Sequence, residues 1–390
     1  MKRLILILLT FTSSISFTNA QWIAVNNGLP DSTTVTSFAV SGTSIFAGTF
    51  NGIILSTDSG ANWTVDTNGL KGNYWVNSLV ISRTNIFANT ANGGVFLSTD
   101  NGLSWQIDTL GLKGNYININ SFAVIGTNVF AGTSDGVFVT ADTGANWTPV
   151  GLTGKSVEPL AAYGTNIFAG TFSNGIYLST DSGQSWTPRN NGLTGTVFEF
   201  AVSGINIFAA SNNGVYLSND TGASWTPRYN GLPSGGVVAF AVSGTNIFAA
   251  EQGVYLSKNN GGIWTAINNG LTDSAVNTLA VSGTNIFAGT YNGGVWKLSL
   301  SVILGVENIT SNNDGISIFP NPLTSSSILK LNTEVKNAEV VIYDMLGKEM
   351  TRKSFTGNSM RIEKGNLESG VYLIRVENAE RQYIQKIIIE

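Results

Sequence analysis

The sequence predicts an all-β chain, a seven-bladed β-propeller followed by a small C-terminal β-sandwich, and three observations carry that expectation. A box of the form Ser/Thr-x-Asp/Asn-x-Gly-x-x-Trp occurs six times, at 56–63, 98–105, 140–147, 179–186, 218–225 and 257–264. A hairpin pattern of the type FAVSGTNIFAG occurs seven times, starting at residues 38, 79, 122, 160, 200, 240 and 279. Beyond residue 315 the repeat is gone, tryptophan disappears and charged residues become frequent, which marks a second domain.

Taken in order, Met1-Lys2-Arg3 supplies a positive region before the apolar run Leu4–Leu9, and Thr18-Asn19-Ala20 sets a small residue before Gln21. Residues 1–20 therefore read as a secretory signal peptide cleaved at Ala20-Gln21. The run is far shorter than the roughly 20 residues a membrane-spanning helix needs, so a soluble exported protein is expected. At 390 residues the chain exceeds the roughly 250–300 at which one core stops growing. A net charge of −4, with Lys and Arg thinly spread over the first 300 residues, argues against a nucleic-acid partner. There is no cysteine for disulfides and no histidine, the commonest general base and metal ligand; neither a metal nor a cofactor is expected.

The repeat is cleanest in Phe200–Leu232, where four β-rich runs, strands A to D, lie at 200–203, 206–210, 215–218 and 224–228. Gly204, Asn213-Gly214 and Asp220–Gly222 supply the turns, and Asn230-Gly231-Leu232 leads to the next unit. In the box the hydroxyl and carboxylate accept N–H groups two or three residues on, and glycine tolerates positive φ. The tryptophan then opens strand D as an apolar plug with an indole N–H to satisfy. Strands A and B are apolar at successive positions, which suits a sheet covered on both faces. Four-stranded units whose boxes recur every 39 to 42 residues match blades stacked around an axis. The last hairpin runs into NGGVWKLSL (292–300) with no strand D, whereas QWIAVNNGL (21–29) resembles IWTAINNGL (263–271), aligning Trp22 with Trp264. The N-terminal strand is thus expected to complete the last blade and leave no open edge.

Over residues 21–300 these boxes resemble the Asp-box, or BNR, repeats of sialidases, xyloglucanases, sortilin-type receptors and photosystem II assembly factors. The resemblance implies that each box is a structural turn on the face away from the ligand. It applies to Asp58, Asp100, Asp142, Asp181 and Asp220, with Asn259 a departure, and to Trp63, Trp105, Trp147, Trp186, Trp225 and Trp264. One carboxylate per box argues against calcium, which takes six to eight oxygens. A sialidase needs three converging arginines, but the propeller holds only Arg83, Arg189 and Arg228, placed so that they do not converge. A glycoside hydrolase needs a carboxylate pair, and Asp135, Glu158, Glu199, Glu251 and Asp273 fall in or near the B–C and D–A connections. Solvated loop acids are the plainer reading of these five. The same connections hold Phe50, Tyr74, Trp75, Tyr116, Phe172 and Tyr291, either a binding surface or plugs between blades.

Residues 301–315, rich in Ser, Asn and Gly, read as a linker. Residues 316–390 read as seven short strands of a sandwich. This segment resembles the type A C-terminal sorting domain of the type IX secretion system of Bacteroidota. The residues that carry the resemblance are Phe319-Pro320-Asn321-Pro322, Val341–Gly347, Leu367–Tyr372 and Gln385–Ile389. It implies passage through the inner membrane by the signal peptide, recognition at the outer membrane and removal of the domain. The expectation is a secreted or cell-surface, non-catalytic binding or adhesion module, with the secretion machinery as one partner and a glycan or protein ligand opposite the boxes. The alternatives are a secreted glycoside hydrolase of the Asp-box type and a scaffold resembling the photosystem II assembly factors.

Overall fold

In the computed structural model the described residues are 21–304 and 316–389, apart from 67–68, 71–74, 92–93, 113–117, 142–143, 145, 174, 234–235, 345–348 and 379–381. The expected signal peptide, most of the expected linker, Tyr74, Tyr116 and Asp142 lie outside them. The chain forms two compact units, 1–305 and 306–390.

Strand B explains why the first unit stacks as it does. In Ser44–Thr49, and in its six counterparts, the pattern is Ile-Phe-Ala-Gly or a close variant, so Ile and Ala point to one face and Phe to the other. Both faces are buried: Ile45, Ala47, Phe208 and Phe248 are 2% exposed or less. Each sheet must therefore be covered twice. The Phe face of one sheet packs on the Ile face of the next, as Phe208 does with Ile247, Ala249 and Trp264. The described residues hold seven four-stranded antiparallel sheets. In the seventh, Ile23–Ala24 pairs with Val295–Ser299, Ile23 facing Lys297 and Ala24 facing Trp296. Phe287 and Val295 of this sheet pack with Val35, Ile45 and Trp63 of the first, so the stack closes on itself. Strand D is shorter than the sequence suggests, two residues in most sheets, because the tryptophan before it faces the neighbouring sheet instead of extending the ladder. Leu300–Leu304 follows the last strand as one helical turn, with Leu300 buried against the seventh sheet.

The second unit corrects the expectation of seven short strands: its described residues form five, in one sheet. Two expected strands merge into Ser326–Tyr343 and two more into Glu349–Glu363; irregularities between Lys330 and Ala338 bend the long pair instead of ending it. The bent sheet encloses one core, with Leu323, Leu329, Ala338, Ile374, Val376 and Ile387 fully buried. Among the described residues no helix is long and apolar enough to cross a membrane.

Candidate functional site

The antiparallel order of each sheet sets the A–B and C–D turns at one end and the B–C and D–A connections at the other. The boxes occupy the first end and are closed hydrogen-bond systems. Ser56 Oγ accepts the Gly60 N–H (2.8 Å) and donates to Asp58 Oδ1 (2.9 Å), which also accepts the Asn62 N–H (2.9 Å). The shorter bonds reach four residues on, and the two-residue bond read from the sequence is there as well, from Asp58 N–H to Ser56 Oγ at 3.4 Å. Side-chain and backbone donors of Asn62, then the Ser56 hydroxyl, hold Asp58 down at about 2. Asp181 and Asp220 sit at about 2 for the same reason, with Ser185 and Ser224 as the main donors, and Asp100 is lowered through Ser104. Ser59 (φ 57°) and Thr221 (φ 57°) are left-handed as well as the glycines after them. Asn259 fills the carboxylate's place, accepting from Ser257 and from Ile263 N–H, each at 2.9 Å.

The indoles fasten sheet to sheet. Trp63, Trp186, Trp225 and Trp264 donate Nε1–H to the carbonyls of Val25, Val150, Arg189 and Arg228, at the end of the preceding strand D, at 2.7–2.9 Å. Trp22 does the same to Ile267 (2.7 Å). Trp186 departs from the buried plug expected for every box: it is partly exposed, whereas Trp63, Trp147, Trp225 and Trp264 are 3% exposed or less. A second fastener escaped the sequence reading. A Gly-Leu pair follows strand D in all seven units. Gly231 (φ 94°) lies so close to the next sheet that a Cβ would stand 2.2 Å from the Trp264 carbonyl oxygen. Recurrence of Gly-Leu six residues after the tryptophan in six of the seven units, and four after it in the third box's unit, was the available signal.

At the opposite end the inner A strands surround a cavity of about 350 Å³. Asn120 Nδ2 donates to the Val157 carbonyl (2.8 Å), Asn277 Nδ2 to the Val35 carbonyl (3.0 Å) and Thr36 Oγ1 to the Val76 carbonyl, each reaching the next sheet. At the matching positions Phe198 and Val238 are 44% and 49% exposed, so one side of the mouth is apolar. Around this mouth the structure gathers three of the sequence-selected aromatics. Phe50 lies 4.4 Å from Trp75 and 6.1 Å, edge-on, from Tyr291, measured between ring centres. Trp75 is 47% and Tyr291 50% exposed. Phe172, 62% exposed, stands apart in the fourth sheet's B–C turn.

The five acids separate by environment. Asp135 accepts the Gly154 N–H (2.7 Å), and Asp273 those of Ala275 (3.1 Å) and Asn292 (3.2 Å), so both serve the loops. Glu251 is buried at the end of its strand B. Glu158 and Glu199 alone line the cavity, on neighbouring inner strands. Burial pushes Glu199 up to about 7, although it accepts the Phe200 N–H (3.2 Å). Arg83 lies in an A–B turn and Arg189 and Arg228 follow outer strands, and no arginine lines the cavity among its described residues.

Residues 317–390 match the family of secretion system C-terminal sorting domains. The chain is thereby addressed to the type IX secretion system and to the cell surface or extracellular space. An endo-acting ulvan lyase of Formosa agariphila is 32% identical over 98 residues, 25% of this chain and 19% of the lyase, so the chain spans about a fifth of that relative's length. The structure titled YCF48 bound to D1 peptide is similar with a TM-score of 0.61 at 16% identity, over 73% of this chain and 98% of that one. A GH74 enzyme of Niastella koreensis gives 0.54 at 17% identity, over 69% and 43% respectively. These likenesses identify the fold as a β-propeller.

Proposed function

We propose that the propeller is an exported, non-catalytic binding module that takes a glycan or protein ligand on the face opposite the boxes. The observation that carries this reading is the Phe50–Trp75–Tyr291 cluster, three aromatics from separate stretches of chain with two of them half-exposed. Such amphipathic rings offer large contact area at low entropic cost, and exposed clusters of them are characteristic of interaction surfaces. The box face is occupied by its own hydrogen bonds, which supports placing the ligand at the other end. The peptide named with YCF48 supports a protein ligand, since that propeller has a similar fold. In this reading residues 1–20 are the leader, 21–300 the propeller, 301–315 the linker and 316–390 the sorting domain. Glycan and peptide arrays probed with the exported chain test it. Trp75→Ala and Tyr291→Ala are expected to lower capture at least about tenfold, the loss typical of an anchor residue, without moving the melting temperature. Full capture by both variants would sink the proposal.

One observation favours a hydrolase as the second reading. Glu158 and Glu199 share the cavity, and Glu199, pushed up to about 7 by burial, suits a proton donor with a second carboxyl group lining the same space. Release of reducing ends from polysaccharides by the wild type, absent in both Glu158→Gln and Glu199→Gln, would establish it over the first.

A further inference from the structure

The sorting domain buries its core completely yet leaves Phe319 80% exposed, the highest value among the large apolar side chains described. Its register partner on the adjacent strand is Ile328, itself 47% exposed. Both stand on the side of the sheet away from buried Leu329 and Leu331, because side chains alternate along a strand. On that outer side Lys330 pairs with Ser317, and Arg361 pairs with Ile328. Arg361 shares its charge with Glu363 at 2.7 Å, so Lys330 supplies the net positive charge beside the apolar pair.

The turn that presents Phe319 is tied down at both ends. Ser327 Oγ donates to the Pro320 carbonyl at 2.5 Å, and Asn321 Oδ1 accepts the Ile388 N–H at 2.8 Å across 67 residues of sequence. Leu323 N–H donates to the Ile388 carbonyl at 2.7 Å, and Leu323 bridges Ile389 in parallel. The 319–322 turn and the C-terminal strand are therefore one piece of surface.

We infer that the secretion machinery reads this composite surface, with Phe319 and Ile328 entering an apolar pocket whose acidic rim faces Lys330. The occupant follows from the domain itself, which is the part of the chain addressed to that machinery. A single aromatic anchor set in a fixed turn is the usual core of such an interface. Asn321 is a positioning residue: it acts by holding the turn against the terminal strand. An unfolded C-terminal peptide would lack the anchor.

Export of the full chain from a type IX-secreting host tests this, with medium, surface and periplasm fractionated and the sorting domain probed by limited proteolysis. Phe319→Ala and Ile328→Lys are each expected to lower the exported fraction at least about tenfold with the protease pattern unchanged, while Phe319→Tyr exports like the wild type. Wild-type export of both disruptive variants overturns the inference. So does loss of export with a proteolytically opened domain in Phe319→Ala, since Phe319 would then serve the fold. Binding of the wild-type chain to anionic phospholipid vesicles, abolished by Phe319→Ala with export intact, would place the anchor in a membrane and overturn it as well.

Discussion

Asp108 stands where five other sheets offer a backbone carbonyl: the Trp147 indole donates to its Oδ2 at 3.3 Å. It is 9% exposed, and burial pushes it up to about 6 in spite of that hydrogen bond. A raised folded-state value means stability that is fully present below the ordinary 3.8 and lost as pH rises through about 6. Asp108→Asn, which keeps an acceptor and cannot ionise, should stabilise the protein by roughly 2–3 kcal/mol near pH 7.5 and hardly at all near pH 3.5. Thermal melts at the two pH values check this. The box carboxylates carry the opposite sign. Asp58, Asp181 and Asp220 are held at about 2, so their contribution is present above the ordinary 3.8 and lost as pH falls toward 2. Replacing all three by Asn, as Asn259 already shows is compatible with the turn, should flatten the decline of melting temperature across that acid window. The box was legible as a hydroxyl-carboxylate-glycine turn. The left-handed Ser59 and Thr221 were not, because neither residue type advertises positive φ.

At the scale of an element, the tryptophan before strand D is both plug and fastener. Trp225, 3% exposed and bonded to Arg189, should cost about 3–5 kcal/mol when truncated to alanine. Trp186→Ala should cost distinctly less, since part of its ring already meets water; chemical denaturation of the two variants separates the cases. A buried aromatic could be read from the box alone, but its acceptor could not, for the carbonyl lies 36 residues earlier on another sheet. The aromatic rim was half legible for a similar reason. Phe50, Trp75 and Tyr291 could each be assigned to the correct end of a sheet, yet only closure of the stack sets residue 291 beside residue 50. Phe172, alike in sequence context, lies on the fourth sheet and is 62% exposed. In the sorting domain residues 333–337 fall between two of the expected short strands, whereas there they form the bend of one long strand, with Val335 turned into the core.

For the whole molecule the critical joint is between residues 22–24 and the seventh sheet. Trp22, 1% exposed, sits in one core with Phe248, Val254, Ile286 and Trp296, and without it that sheet ends in an unpaired edge. Removing residues 21–30 should lower the melting temperature by many degrees or cause aggregation, as scanning calorimetry and light scattering would show. An unchanged melt would contradict the joint. The likeness of residues 21–29 to 263–271 made this joint readable, since both segments face the same task of ending one sheet and reaching the next. Ile23 faces Lys297, so the first paired strand and the last strand of the propeller's chain lie side by side in one sheet. The ring consequently has no intrinsic first unit. A short tether from Ser299 to Gln21, with a new opening after Leu193 or Leu232, would yield a circular permutant with every strand pair retained. Only the present junction after residue 300 would be lost, and with it the place where the sorting domain is joined to the ring.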